Sequence, residues 1–153
     1  MSHTVPTSGP LKQALKNTIS GNSEIAAIAV GGVFEGFNNQ DDIVYPFIVY
    51  QLTDATILRT FGDGTVELEA RFDIVVFGKN PVEVNSLDAL ITALLDGSEL
   101  AVTGLRTLIV QREEELPLPP ERTAEGDKIY ANGGNYLFSV DQNNANPPPP
   151  PEE

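Results

Sequence analysis

Residues Thr65–Phe77 read TVELEARFDIVVF, and this stretch decides the fold. Val66, Leu68, Ala70, Phe72, Ile74 and Val76 take every second position, while Glu67, Glu69, Arg71 and Asp73 take the alternates until Val75 and Phe77. Successive strand side chains point to opposite faces, so this period of two predicts a half-buried antiparallel strand with one core face and one charged face. At about 3.3 Å per residue such a strand runs on the order of 40 Å, about twice the usual length. Its polar face is a surface large enough to have a function.

On the N-terminal side, PFIVYQLT (Pro46–Thr53) is dense in β-branched and aromatic residues, with proline at the start where a strand tolerates it. It predicts a strand paired with the long one. The connection DATILRTFGDGT (Asp54–Thr65) reads as an extended hairpin loop turning at Gly62-Asp63-Gly64. Ile57, Leu58 and Phe61 would be exposed together there, so Ile57, Leu58, Arg59, Phe61 and Asp63 form a candidate contact surface. Farther upstream a helix is expected from Pro10, burying Leu11, Leu15 and Ile19, followed by a short turn capped by Ser23 and a short strand at VFEGF.

On the C-terminal side, Asn80-Pro81-Val82-Glu83 announces a helix, with Asn as cap and Pro at the first position. Leu87, Leu90, Ile91, Leu94 and Leu95 give it one apolar stripe before Asp96-Gly97 closes it. Gly104–Arg112 reads as a strand, Glu113–Asp127 as an acidic Pro-rich loop, and Lys128–Gln142 as a strand with an irregularity at Gly133-Gly134. These elements predict an α+β fold, an antiparallel or mixed sheet of about four to five strands packed by an N-terminal helix and one central amphipathic helix. The expected division is a flexible arm at 1–9, a single α+β domain at 10–142, and a disordered or polyproline II tail at 143–153. The predicted core is Leu11, Leu15, Ile19, Ile25, Ile28, Val49, Leu68, Phe72, Ile74, Leu87, Leu90, Ile91, Leu94 and Ile109.

At 153 residues and 41% hydrophobic, the chain suits one domain with a real core. It has no cysteine, which excludes disulfides and thiolate metal sites, and its apolar runs are too short to cross a bilayer or to serve as a signal peptide. Folding in a cytoplasm is expected. With 9 Lys+Arg against 22 Asp+Glu the net charge is -13, which repels phosphate backbones and anionic lipid and argues against tight nucleic-acid or membrane binding. The single histidine, His3, lies in the arm, so no His-based triad or metal set can be assembled. Gly31-Gly32 and Gly133-Gly134 lack phosphate-loop spacing, and Asp41-Asp42 and Asp63-Gly64 lack that of a calcium loop. The sequence therefore gives no ground for an enzyme, a cofactor or a metal.

The order of elements resembles the tail-completion proteins of long-tailed bacteriophages, the family of tail terminators and tail-to-head joining proteins. The likeness lies in LKQALKN (Leu11–Asn17) with SEIAAIAVGGVFEG (Ser23–Gly36), PFIVY (Pro46–Tyr50), FDIVVF (Phe72–Phe77) and SLDALITALLDG (Ser86–Gly97). It covers about residues 10–142 through hydrophobic patterns and turns, while the segment Glu113–Asp127 and the Pro-rich tail depart from it. The resemblance implies a non-enzymatic virion protein at the tail–neck junction, assembled in the host cytoplasm. It implies a homo-oligomer, a hexameric ring, that caps the tail-tube protein, stops tail polymerisation and docks a head-side neck or connector protein. DNA would cross the lumen without specific binding, past a wall formed by Glu67, Glu69, Arg71 and Asp73. The hairpin residues Ile57, Leu58, Arg59, Phe61 and Asp63 would then contact a neighbouring subunit or the tail tube. The alternatives are a head-side neck or head-completion protein, or a non-phage α+β module that binds peptides or acts as a scaffold.

Overall fold

A computed structural model describes residues 8–60, 66–98, 101–102 and 105–141. Three helices, α1 (Ser8–Ser20), α2 (Ser23–Ile28) and α3 (Pro81–Leu95), accompany six strands. The strands are β1 (Val33–Glu35), β2 (Phe47–Thr60), β3 (Val66–Gly78), β4 (Ala101–Val102), β5 (Leu105–Arg122) and β6 (Lys128–Asp141). They form one sheet in the order β1-β2-β3-β6-β5-β4. β1 runs parallel to β2 and every other pair is antiparallel. The fold is α+β as predicted; the short strand expected at VFEGF is β1, and the two-residue edge strand β4 raises the count to six.

The alternation of β3 sets the layering. Ala70, Phe72, Ile74 and Val76 are buried on one face, where they meet Ile48 and Tyr50 of β2, Tyr136 and Phe138 of β6 and Val110 of β5. All three helices cover this face, contributing Leu11, Leu15 and Ile19 from α1, Ile25 from α2, and Val84, Leu87, Ile91 and Leu95 from α3. The Asn80 side chain caps α3 by accepting from the Val82 N–H at 2.9 Å, which fixes which stripe faces the sheet.

Several sequence expectations need correction. The first helix starts at Ser8, so Ser8 and Gly9 are helical and not part of an arm; residues 1–7 and 142–153 lie outside the described residues. Asn22, not Ser23, caps α2, accepting from the Ile25 N–H at 3.0 Å. The stretch from Asp54 is not a loop, because β2 continues to Thr60 through register shifts at Leu52/Asp54 and Ile57/Arg59. Each shift breaks the period of two, which is why the alternation fades there.

Glu113–Asp127 is not a loop either. β5 runs on to Arg122, and only Thr123–Asp127 turns. Its prolines are tolerated because β5 pairs with β6 on one side only over that stretch, leaving the N–H side without a ladder to serve. The irregularity foreseen at Gly133-Gly134 sits instead on the partner strand, at Thr107/Ile109, Arg112/Glu114 and Leu118/Glu121. Gly133 is a close approach, since a Cβ there would stand 2.2 Å from the Ile74 carbonyl oxygen of β3.

Of the predicted core, Ile28, Leu90 and Leu94 are half-buried against it. Val49 is buried on the other face, with Ile48 and Tyr50 taking the helix side. The side chains of Leu68 and Ile109 lie outside the description.

Candidate functional site: the charged face and the pin beneath it

The helix-free face of the sheet divides into two halves. Around the start of β2 it is aromatic: Phe47 stacks on Phe77 with centroids 5.1 Å apart, and Phe34 and Tyr45 flank Phe47 at 6.2 and 5.5 Å. Lys79 lies over the Tyr45 ring at 5.2 Å and reaches Asp127 at 3.0 Å, which ties the β5–β6 turn to the end of β3.

Toward the β2–β3 hairpin the same face is charged. Arg71 is its centre, donating to Glu113 at 2.8 Å and to Asp54 at 3.3 Å. The hydrogen bond to Glu113, then that carboxylate's charge, with lesser help from Glu69 and Asp54 and against some desolvation, raises the Arg71 pKa above its ordinary value. To reach β5 from β3 the Arg71 side chain crosses Leu137, its register partner on β6, and Leu137 is only 8% exposed. Glu113 is available to it because it is the extra residue at the Arg112/Glu114 shift, where a bulge re-aims a side chain. Asp73 accepts from the Asn135 amide at 2.8 Å.

Of the predicted wall, then, Glu69, Arg71 and Asp73 share one half-buried face, opposite Thr56, Asp54 and Gln51 of β2. Glu67 stands opposite Arg59 in the backbone register, and its side chain is outside the description. Ile57, Leu58 and Arg59 fall within β2, and Phe61 and Asp63 lie outside the described residues. Arg71 is held by two acids from two other strands, so the wall is a cross-strand network, not a bare row of carboxylates.

On the helix side, sequence reasoning missed a second ionic group. Arg112 forks onto Asp88 of α3, with both guanidinium–carboxylate contacts at 3.1 Å, and donates to the Gly133 carbonyl at 2.9 Å. It also donates to Thr92, and it lies against Tyr136, whose hydroxyl is 3.3 Å away. Both charged side chains are 12% exposed. Burial works against the Arg112 charge, but the hydrogen bond to Asp88 and the surrounding partners outweigh it and its pKa is raised. Burial raises the Tyr136 hydroxyl likewise, with Thr92 and Arg112 pulling the other way. Gly134 makes the slot, since a Cβ there would stand 2.8 Å from the guanidinium. The Arg112 backbone N–H donates to Asp96 at 2.8 Å, and Val110 bonds Gly97 and Ser98, so the end of α3 is stitched to the β5 edge. The one available signal was Asp88 itself, a carboxylate inside the apolar stripe between Leu87 and Ile91, which demands a buried cation.

The arrangement holds charge and shape: a cross-strand ionic network on one face and a buried bidentate pair beneath the other. Among the described residues no group of three or more His, Cys, Asp or Glu is placed to hold a metal ion, and no helix is long and apolar enough to cross a membrane.

No protein-family model and no curated protein matches this sequence. Among solved structures, the fold is similar to a chain from "Virion of native gene transfer agent (GTA) particle", at TM-score 0.68 and 13% identity, covering 90% of this chain and 99% of that chain. A second solved chain aligns at TM-score 0.48 and 12% identity, covering 87% of this chain and 92% of its own length. The first likeness establishes a shared fold over nearly the whole of both chains.

Proposed function

We propose that this chain is a structural protein of a phage-like virion, and that its copies close into a ring, a hexamer, on the end of the tail tube. In that role it stops tube growth, offers a docking face to a head-side neck protein and lets DNA cross its lumen. No catalysis is involved. The observation that carries the proposal is the near end-to-end likeness of fold to a chain of a gene transfer agent virion. The bacteriophage family that the sequence resembles supports the finer assignment to tail completion.

A closed ring is heterologous, so each copy needs two different contact surfaces. The β2–β3 hairpin supplies one, with Ile57, Leu58, Arg59, Phe61 and Asp63 toward its tip. The helix-free charged face around Glu67, Glu69, Arg71 and Asp73 is assigned to the lumen. Repeated around a ring, a wall with more acid than base repels DNA at short range and gives it nothing to hold.

The direct experiment is native mass spectrometry of the purified protein, alone and with tail-tube protein. The expected result is a closed oligomer that also binds tube ends; a monomer under both conditions would rule the ring out. Replacing Leu58 and Phe61 with Ser is expected to leave the subunit folded by circular dichroism and to abolish ring formation. Unchanged assembly would remove the hairpin from the interface. Reversing Glu67 and Glu69 to Lys is expected to keep ring and tail length normal while making the lumen retain DNA in a salt-sensitive manner, with ejection slowed at low salt. Normal ejection at low and moderate salt would remove the charged face from the lumen.

A further inference from the structure

Among the described residues two exposed features lack a partner within the chain, and they lie at opposite edges of the sheet. The first is at the β5 edge. Register aligns Phe47, Phe77, Ala131 and Leu118 in one row across β2, β3, β6 and β5 on the helix-free face. At the end of that row Phe77, Leu118, Pro119, Ile129 and Ala131 surround a cavity of about 80 Å³ with Glu121 at its rim, and Leu118 is 43% exposed. β4 leaves this part of β5 uncovered, since it pairs only with Leu105 and Arg106. Pro117, Pro119 and Pro120 withhold three N–H groups, so a visitor docks here through side chains instead of a continuous ladder.

Next to Glu121 and Ile129 stand Arg122 and Lys128, register partners of each other and both exposed. Lys12, Arg71, Lys79 and Arg112 each bridge to a carboxylate. Arg122 instead donates to the Gly126 carbonyl at 3.1 Å and Lys128 lies over the Tyr130 ring at 5.6 Å, and neither meets an acid among the described residues. The second feature is at the β1 edge, in the segment between β1 and β2. There Asp41 and Asp42 are exposed and run straight into Ile43 and Val44, which are 43% and 48% exposed. The segment is held away from its own chain's pocket. Gly31 leaves no room for a Cβ against the Val44 carbonyl, and its N–H donates to the Pro46 carbonyl at 2.9 Å, so Val44 rests on the turn before β1 while the pocket lies beyond β2 and β3.

We propose that Asp41–Val44 of one copy docks at the β5 edge of a second copy of this chain, with Ile43 entering the pocket and Asp41 and Asp42 meeting Arg122 and Lys128. Charge selects the occupant. Copies with a net charge of -13 repel one another, so association needs a local match, and two bases without an acid beside an apolar pocket complement two acids beside exposed apolar side chains. The spacing agrees as well, because the acid adjoins the apolar residue in Asp42-Ile43 and the base adjoins the apolar residue in Lys128-Ile129. The contact joins one edge of the sheet to the opposite edge of the next, so it is heterologous and repeats from copy to copy, with the helix-free face of every copy turned the same way. The inference rests on the ring proposed above and adds a second contact to that of the hairpin.

The test is native mass spectrometry over a dilution series, alone and with tail-tube protein, of four full-length forms whose folding is checked by circular dichroism. They are the unaltered chain, Asp41→Lys with Asp42→Lys, Arg122→Glu with Lys128→Glu, and all four changes together. Each pair of reversals is expected to raise the concentration at which the ring comes apart at least about tenfold, because like charges then face each other. The fourfold form, with the charges exchanged, is expected to return to within about threefold of the unaltered chain. The two pairs move the net charge in opposite directions, so a general charge effect would weaken one and strengthen the other. Unaltered assembly in either pair, or no recovery in the fourfold form, overturns the inference and leaves a ring of the unaltered chain standing. An unaltered chain that stays monomeric with and without tube protein overturns both.

Discussion

Replacing Arg112 with Met is expected to destabilise the fold by about 3 to 5 kcal/mol, because it strands the Asp88 carboxylate among apolar neighbours. Both side chains are 12% exposed and the fork is bidentate, so neither ion has water to fall back on. The substitution also frees Thr92, Tyr136 and the Gly133 carbonyl from their shared donor, at the point where α3 is fastened to β5 and β6. Urea denaturation reads the effect as a lower midpoint at unchanged slope. The paired change Arg112→Met with Asp88→Leu removes both charges and is expected to recover most of the loss. A cost below about 1 kcal/mol for the single change would put the pair in the class of solvent-screened surface bridges and contradict the pin.

Truncating Phe72 to Ala is expected to cost about 3 to 5 kcal/mol through lost apolar burial and the cavity left behind. Phe72 is fully buried in the middle of β3 and meets Phe138 edge-on at 5.2 Å and 73°. Its neighbours on β2, β3 and β6 are fixed by sheet register, so the site has little freedom to collapse. A loss under about 0.5 kcal/mol would mean that the apolar and charged faces of β3 have been exchanged. That result would also move Glu69, Arg71 and Asp73 to the helix side and leave the lumen without its wall.

The elements legible in the sequence are those whose local pattern and tertiary environment agree. β3 alternates without interruption and forms a strand over Val66–Gly78, and the Asn80-Pro81 start gives α3 from Pro81. The extension of β2 is hidden because its two register shifts move side chains from one face to the other, so Asp54–Thr60 loses the period of two and reads as part of a loop. The first half of β5 is legible in Gly104–Arg112, and its continuation to Arg122 is hidden by Pro117, Pro119 and Pro120, which mark a strand without a partner on one side as readily as a loop.

The charged face was legible as a row on one strand, but its partners were not. Asp54 and Glu113 reach Arg71 only through sheet order, since β5 follows β3 in sequence across α3 yet lies two strands away in space. Asp88 was visible as an acid in an apolar stripe, and its partner Arg112 is 24 positions away on a strand whose bulge no local pattern marks. The apolar pocket beside Leu118 was out of reach for the same reason, being assembled from β3, β5 and β6.

The measurement that bears most directly on the whole account is electron cryomicroscopy of the protein assembled on tail-tube ends. The account predicts a closed ring with the helix-free face of β3 turned inward, Glu69, Arg71 and Asp73 on the lumen wall and the β2–β3 hairpin against a neighbouring subunit or the tube. A ring with these side chains on its outer wall, or tube ends with no ring on them, would contradict it.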